Sequence, residues 1–352
     1  MRKFDYRAEY QKLLTPETVS FLTQIHEGKE RQNRLVEQKR NALNGLREIA
    51  GIESAEASNR MEGAVTTDDR LKKLVRNKTT PKNRSEREIA GYRDVLGTIY
   101  ENYDYIPIRP GTLLQLHRDL YKFSGLSIGG GFKNSDDGAA EELPDGSKRV
   151  RPALVSARET PETVESLCGV INEALRDPEL DPLLLIPMFI LDFLCIRPFN
   201  DGNGRMSRLL TSLLLCRAGY FAGKYISLEK LIADSKEICH KALQDSAEGW
   251  RGGTNDYLPF VRYLLGVIAA AYREFSARTE LLTEKSVSKP NRVRESIRSA
   301  AGRVTKAEIM AKCPDVSQKT VERALRELTE SGAVLKVGGG RYTFYIWNRE
   351  NE

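Results

Sequence analysis

A short run near the middle of the chain concentrates residue types that bind phosphate and a cation. Residues 196–208 read IRPFNDGNGRMSR and follow an apolar run, Leu183 to Ile196, with the composition of a buried helix. Gly202 and Gly204 flank Asn203, so backbone N–H groups can point inward where a new helix begins. The run therefore predicts an anion site at a helix N-terminus.

Three charged side chains extend this predicted site. Arg205 and Arg208 lie three residues apart on one face of the predicted helix, so we expect both guanidinium groups to reach the same polyphosphate. Asp201 lies at the mouth of the loop, where a carboxylate is expected to hold Mg²⁺, which prefers one or two protein oxygens plus phosphate and water. A lone Gly-Asn-Gly is more simply a turn between two core helices with solvated arginines, but the full run favours phosphate binding.

The same run resembles the signature of the Fic family. That signature reads His-Pro-Phe, any residue, Asp or Glu, Gly-Asn, Gly or Lys, Arg, two residues and Arg, and every fixed position but the first matches. The resemblance implies an adenylyltransferase that uses ATP and Mg²⁺ to place AMP on a Ser, Thr or Tyr hydroxyl of a target protein. It implies a metal contact from Asp201 and nucleotide contacts from Gly202, Asn203, Gly204, Arg205 and Arg208.

Arg197 stands where the family has its catalytic histidine. The resemblance makes that histidine the general base, which takes the proton of the target hydroxyl as it attacks the α-phosphorus. A guanidinium stays protonated, with a pKa above about 12, and loss of a general base costs on the order of 10² to 10⁴ in rate. Three explanations stay open: an introduced substitution in an active enzyme, a naturally degenerate member, or a different chemistry in which Arg197 only binds phosphate.

A second motif lies near the end of an earlier predicted helix. Residues 58–63 read SNRMEG, with Ser58 and Glu62 four apart on one helical face and Gly63 as an ordinary helix cap. The run resembles the inhibitory motif of Fic proteins: Ser or Thr, three residues, Glu, then Gly or Asn. The resemblance implies an ion pair between Glu62 and Arg208 that takes the place of the ATP γ-phosphate, and in some members this glutamate also supports removal of AMP.

Two further regions depart from the family pattern. Residues 132–156 predict a β-hairpin with Pro-Asp-Gly-Ser at its tip, which corresponds to the family's flap, where a target is held in extended form by strand addition. Relatives tend to carry an apolar clamp where residues 136–140 read DDGAA. Where relatives have a Tyr-Tyr pair beside adenine, this chain has Cys239-His240, and His240 either stacks on the base or lies on a helix surface.

The remaining pattern is mainly α-helical. Thr15 to Val75 is mostly helical, and a helix through Leu43 and Ile52 is expected to run to Met61. We therefore expect a mainly α fold: a Fic-type helical bundle with a small β-hairpin flap, plus a C-terminal winged helix-turn-helix domain. The expected domains are an N-terminal helical region with the inhibitory helix (1–100), the Fic core (101–283) and the winged helix (291–352), after a linker at Glu284 to Pro290.

The C-terminal pattern is helix, helix, helix and hairpin, which is typical of a winged helix. Thr305 and Ser317 are expected to cap the second and third helices. The third helix is expected to turn Gln318, Lys319, Glu322, Arg323 and Arg326 outward and Val321, Leu325 and Leu328 inward. Its cations suit DNA phosphates, whereas its glutamates suit a protein-docking module. A silent nucleotide-binding core joined to a DNA-binding winged helix is thus the alternative function.

Composition bounds the function. The chain has 352 residues and a net charge of +6, and the charge suits a polyanionic partner. No apolar run approaches the roughly eighteen residues of a membrane span, and the charged start differs from a signal peptide, so we expect a cytoplasmic protein. Five scattered cysteines and three histidines argue against a disulfide framework or a structural zinc site, and His117 is expected to pack within its helix. The apolar helix from Leu258 to Tyr272 is either core or the contact of a homodimer.

Overall fold

The chain folds into two compact units, Met1–Ser276 and Ala277–Glu352. The computed structural model describes residues 2–38, 40–124, 129–136, 139–142, 148–151, 154–283, 289–300, 302–314, 316–340 and 343–348. Within these residues it contains fifteen α-helices and five short strands, which confirms the prediction of a mainly helical fold. The predicted linker falls largely outside the described residues, and its last two residues begin a helix instead.

Twelve helices begin in the first unit. They are α1 (Tyr6–Tyr10), α2 (Pro16–Gln38), α3 (Arg40–Arg60), α4 (Asp68–Val75), α5 (Arg84–Asn102), α6 (Pro110–Leu120), α7 (Thr160–Ala174), α8 (Pro182–Ile196), α9 (Asn203–Arg217), α10 (Leu228–Asp234), α11 (Lys236–Ala247) and α12 (Leu258–Thr283). Helix α8 packs against α7 and α9, α5 packs against α6 and α9, and α3 packs against α5 and α10. The helix that carries the second motif therefore lies beside those that support the loop at residues 197–202.

Helix α8 is the centre of the first unit because its sequence is apolar on all sides. Thirteen of its fifteen residues are buried, and Asp181 caps its first turn by accepting a hydrogen bond from the Leu183 N–H at 2.9 Å. Its one acidic residue, Asp192, is fully buried and accepts hydrogen bonds from Tyr6, Trp250 and Tyr257 at 2.6–3.0 Å. Burial raises the pKa of Asp192 to about 6. These bonds tie both ends of the unit's sequence to its central helix.

A two-stranded antiparallel hairpin interrupts the helices. Strand β1 (Ala139–Glu142) pairs with β2 (Lys148–Arg151), with Ala139 opposite Arg151 and Glu142 opposite Lys148. The predicted hairpin is therefore confirmed in its strands. Its tip at 144–147 and two residues of the 136–140 run lie outside the described residues.

The second unit contains three helices and a three-stranded antiparallel sheet. These are α13 (Lys289–Arg298), α14 (Lys306–Lys312), α15 (Gln318–Glu330), β3 (Val304–Thr305), β4 (Val334–Val337) and β5 (Phe344–Trp347), with sheet order β3-β5-β4. Both predicted caps are present: Thr305 forms a capping box with Glu308, and Ser317 accepts from the Thr320 N–H. The inward and outward faces of α15 also match the prediction. The winged-helix assignment and DNA binding stay predictions.

Helix α12 runs eleven residues beyond the predicted Tyr272. Its apolar side chains, including Phe260, Leu264, Ile268 and Phe275, are buried within the first unit. They are core residues here, and the apolar pattern gives no separate support for a homodimer. Among the described residues, no helix is both long and apolar enough to cross a membrane.

Helices α5 and α6 approach each other at Gly91. A Cβ atom added there would lie 2.0 Å from the backbone oxygen of Leu120, so the crossing requires glycine at this position. Gly97, on the same helix, has no neighbour within 4 Å of its added Cβ. A substitution at Gly91 therefore reports on helix packing, whereas one at Gly97 reports on helix propensity alone.

We expect Gly91→Ala to destabilise the fold by about 2 kcal/mol, because backbone atoms cannot give way locally. Gly97→Ala should instead stabilise it by up to about 1 kcal/mol through helix propensity. Urea unfolding of both variants tests this expectation. Equal midpoints for the two would show that α5 and α6 do not cross at Gly91.

Candidate functional site

The loop between α8 and α9 has two residues in the left-handed region. Arg197 ends α8 with φ of 49°, and Gly202 precedes α9 with φ of 79°. A left-handed conformation costs an L-residue other than glycine roughly 1–2 kcal/mol, so the fold imposes this geometry on Arg197. Inside the loop, Asn203 accepts from the Phe199 N–H at 3.0 Å and donates to its carbonyl at 2.7 Å. The Asn203 side chain therefore closes the loop.

The N-terminus of α9 faces a carboxylate. A Cβ atom on Gly204 would lie 2.4 Å from Oε1 of Glu62, so glycine leaves the space that this carboxylate occupies. Glu62 follows α3, and the chain turns away at Gly63 with φ of 81°. A carboxylate beside a helix N-terminus is stabilised by the N–H groups and the helix dipole. Glu62 thus lies at the predicted anion site.

Arg208 joins the two motifs. Its Nη2 donates to Oε1 of Glu62 at 2.8 Å and to the carbonyl of Ser58 at 3.0 Å, and its Nε donates to Oγ of Ser58 at 2.8 Å. The Arg208 side chain is only 11% exposed, so this ion pair is partly shielded from water. The side chains of Ser58, Glu62 and Arg208 meet as the resemblance implies.

Arg205 does not join Arg208, contrary to the expectation that both guanidinium groups reach one polyphosphate. It is 1% exposed, and its Nη1 donates to Oε2 of Glu88 at 2.9 Å while its Nη2 donates to the hydroxyl of Tyr121 at 2.7 Å. Residues three apart on a helix point about 60° apart, which is enough for one to turn inward. Arg205 is therefore a buried structural cation beneath the loop.

Asp201 keeps a carboxylate at the surface of the loop. Its side chain is 49% exposed, and its Oδ1 accepts from the Gly202 N–H at 2.7 Å. Burial alone would raise the pKa of Asp201, but hydrogen bonding from Tyr121 and the charge of Arg205 bring it below its usual value. The group is ionised near neutral pH, as a metal ligand must be.

A single carboxylate, that of Asp201, can hold only a metal ion whose other ligands come from outside the protein. Across the part of the chain that the structure describes, no group of three or more His, Cys, Asp or Glu side chains could hold a metal ion. Mg²⁺ in nucleotide sites is bound through one or two carboxylates, phosphate oxygens and water. Asp201 therefore fits a magnesium ion that arrives with a polyphosphate.

His117 contacts the loop, although the sequence linked it only to its own helix. Its ring stacks on Phe199 with centroids 3.8 Å apart, Nε2 donates to the carbonyl of Asp201 at 3.1 Å, and Nδ1 accepts from the Gly130 N–H at 3.1 Å. This pattern requires the neutral ring, and burial lowers the pKa of His117 to about 4. His117 is thus a support for the loop and cannot readily exchange a proton there.

Lys133 fastens the segment before the hairpin to the loop. Its Nζ donates to the carbonyl of Ile196 at 2.8 Å, and its N–H donates to the carbonyl of Pro198 at 2.8 Å. Next to it, Asn134 and Asn200 exchange hydrogen bonds at 3.1 and 3.3 Å. No local pattern marked Lys133 or Glu88 as a site residue, because each depends on partners distant in sequence. For Tyr121, the one available signal was its spacing from His117, which places both side chains on one helical face.

A cavity of about 850 Å³ opens over the loop. Arg197, Asp201 and Arg208 line it together with Glu62, and α8, α11 and α12 supply apolar side chains such as Leu191, Leu243 and Leu264. His240 is exposed and also lines it. Burial lowers the pKa of Arg197, whereas Glu62 and Asp201 raise it, and a guanidinium remains a cation near neutral pH. The cavity combines charged side chains over the loop with apolar side chains from the surrounding helices, a combination that suits a nucleotide.

The site thus consists of a glycine-containing loop at the N-terminus of a helix within a helical bundle, a geometry that suits an anion. Residues 107–215 match the model of the Fic/DOC family, and this segment is a Fic/DOC family domain. A solved Fic family protein from Desulfovibrio desulfuricans has the same fold, with a TM-score of 0.63 and 22% identity over 96% of this chain and 97% of that one.

Two curated relatives are named protein adenylyltransferase Fic. One from Nematostella vectensis is 26% identical over 46% of this chain, and one from Culex quinquefasciatus is 29% identical over 50% of this chain. The matches span 37% and 30% of the lengths of these relatives. They support AMP transfer at the level of the family.

The neutral state of His117 predicts a loss of stability in acid. The unfolded histidine binds a proton near pH 6.5, whereas the folded ring resists it until about pH 4, so its contribution is full above pH 6.5 and falls as the pH drops toward 4. Between pH 7 and pH 5 the loss amounts to about 2 kcal/mol.

Urea unfolding at the two pH values measures this loss. His117→Phe keeps the ring stack and removes the titration, so its free energy of unfolding should depend less on pH by that amount. An equal pH dependence in both proteins would contradict the neutral, buried histidine.

Proposed function

We propose that this chain is a Fic-type protein adenylyltransferase scaffold, held inactive by Glu62 and impaired by Arg197. One observation carries the proposal: the Glu62 carboxylate lies at the N-terminus of α9 and is bound by Arg208 at 2.8 Å. In this proposal the Glu62 carboxylate is an internal anion at the site that would otherwise bind phosphate. Because an ATP phosphate needs the same N–H groups and guanidinium, phosphate and Glu62 compete for one position.

The proposed reaction is attack by a target hydroxyl oxygen on the α-phosphorus of ATP. The new O–P bond forms as the bond to the β-phosphate breaks, pyrophosphate leaves, and a base takes the hydroxyl proton. Asp201 would hold Mg²⁺, which neutralises phosphate charge when bound. Arg208 would bind a phosphate once Glu62 withdraws, and Gly202, Asn203 and Gly204 would shape the loop beneath it.

Arg197 is the weak point of this chemistry. It lines the cavity where the family resemblance calls for a base, and its guanidinium can bind phosphate without accepting a proton. In this proposal Arg197 keeps the scaffold close to silent. His117 cannot replace the missing base, because both of its ring nitrogens are engaged.

The target would be a protein with a Ser, Thr or Tyr hydroxyl. The hairpin of β1 and β2 follows Lys133 and Asn134, which are fastened to the loop at Ile196, Pro198 and Asn200. An extended segment of the target added to this hairpin would therefore run beside the cavity. His240 would lie at the nucleoside end, since it lines the same cavity.

The second candidate function is that of a regulator, in which a catalytically silent nucleotide-binding core is joined to a DNA-binding winged helix. It is favoured by Arg197 and by the exposed face of α15, which carries Lys319, Arg323 and Arg326. Glu327 and Glu330 lie 3.8 and 4.0 Å from the two arginines and reduce their net charge. Salt-dependent, sequence-selective binding of duplex DNA that is lost in Lys319→Glu would favour this function.

Transfer of AMP from labelled ATP to protein tests the proposal. The chain as it stands should give little label, whereas Arg197→His combined with Glu62→Gly should label itself or proteins of a lysate 10² to 10⁴-fold more, because a base is restored and the competing carboxylate is removed.

The matched control combines Arg197→His with Glu56→Gly. Glu56 lies on α3, which Glu62 follows, and also pairs with an arginine, Arg60, but it does not line the cavity. This control should stay close to the level of Arg197→His alone. If the Glu62→Gly combination labels no protein, the transferase proposal is wrong.

A further inference from the structure

Helix α6 holds Asp201 at two points. His117 and Tyr121 are four residues apart, at the end of α6 and on one of its faces, and their rings meet edge to face with centroids 5.1 Å apart. His117 donates to the main-chain oxygen of Asp201 at 3.1 Å. The Tyr121 hydroxyl supports the Asp201 carboxylate through Arg205, which contacts both groups. The backbone and the side chain of one loop residue are thus supported from the same helix.

Tyr121 is itself held in place. Nη2 of Arg205 donates to its hydroxyl oxygen at 2.7 Å and lies 3.8 Å from Oδ2 of Asp201, so one guanidinium nitrogen borders both groups. Tyr121 therefore fixes the guanidinium that pairs with the Asp201 carboxylate. The ring lies under Gly202, where an added Cβ would come within 2.9 Å of the hydroxyl.

Arg205 is fixed in turn by Glu88, at 2.9 Å, and both side chains are buried. Arg84 also pairs with Glu88 at 2.8 Å. The support therefore runs from α5 through Glu88 and Arg205 to Tyr121, and each link is a short contact between buried or partly buried groups. Removing one partner from such a buried contact is costly, which favours a single geometry for the remaining groups.

We propose that Tyr121 is a positioning residue for the Asp201 carboxylate: through Arg205, with Glu88 behind it, Tyr121 holds the carboxylate in the orientation that receives a divalent cation arriving with ATP. This inference rests on the proposed function and adds Tyr121 and Glu88, which neither motif contains. The Gly202 N–H uses one of the carboxylate's roughly four lone-pair sites, which leaves others for a cation. Groups that orient a metal ligand typically change metal affinity 10 to 100-fold when they are removed.

The test measures the metal contribution to ATP binding in the full chain. All proteins carry Glu62→Gly, and calorimetry gives the ATP affinity with Mg²⁺ and in EDTA. Tyr121→Phe keeps the ring under Gly202 and removes only the hydroxyl. It should reduce the ratio of the two affinities about 10-fold, while the affinity in EDTA changes little.

Tyr100→Phe is the matched control, since it removes a hydroxyl that donates to Gly223 at 2.7 Å on another side of the unit. It should leave the ratio unchanged. His117→Phe removes the second support of Asp201 and should lower the ratio several-fold, which keeps the proposal testable if Tyr121→Phe does not fold.

The outcomes separate this inference from the function on which it rests. If Asp201→Asn lowers the ratio and neither Tyr121→Phe nor His117→Phe does, the positioning proposal is overturned and the proposed function stands. An equal drop in Tyr100→Phe would also overturn it. If Mg²⁺ does not strengthen ATP binding in any of these proteins, the proposed function itself fails.

Discussion

The contact between Arg208 and Glu62 is the interaction on which the account depends. It joins the end of α3 to the start of α9 and places a carboxylate beside Gly204 in the first turn of α9. Several local features accompany this contact. Gly204 has no Cβ where the carboxylate lies, Gly63 turns the chain away in a left-handed conformation, and Ser58 accepts two hydrogen bonds from the same guanidinium. The proposed function takes this partly shielded ion pair as the group that a phosphate would have to displace.

Arg205 and Arg208, both in the first turns of α9, contact different neighbours because the helix turns between them. Arg208 faces α3 and the cavity, whereas Arg205 faces α5 and α6 beneath the loop. The sequence spacing was compatible with a shared site, but the outcome was decided by Glu88, which lies 117 residues earlier. A buried guanidinium needs a buried carboxylate, and no local pattern announces where that carboxylate will come from.

The same physical limit explains what could be predicted. Periodicity and capping predicted α8, α9 and α15, and the ion pair of Glu62 with Arg208 followed from the resemblance of two motifs. The contacts of Ser58 with Arg208 were not predicted. His117, Tyr121 and Lys133 escaped prediction because each is one polar residue whose partner is a loop far along the chain. Asp192 was not predicted either: an acid within an apolar run must find donors, but the sequence did not say that Tyr6, Trp250 and Tyr257 would supply them.

Arg197 has a left-handed backbone conformation, and the charges of Glu62 and Asp201 act to raise the pKa of its guanidinium, a group that cannot act as a base near neutral pH. The most direct measurement of the central claim is the affinity for ATP of the chain as it stands and of Glu62→Gly, by calorimetry in Mg²⁺. If Glu62 occupies the phosphate position, the variant binds ATP about 10-fold or more tightly, which corresponds to about 1.4 kcal/mol. Equal affinities would show that the carboxylate and the phosphate do not compete, and the account would be wrong.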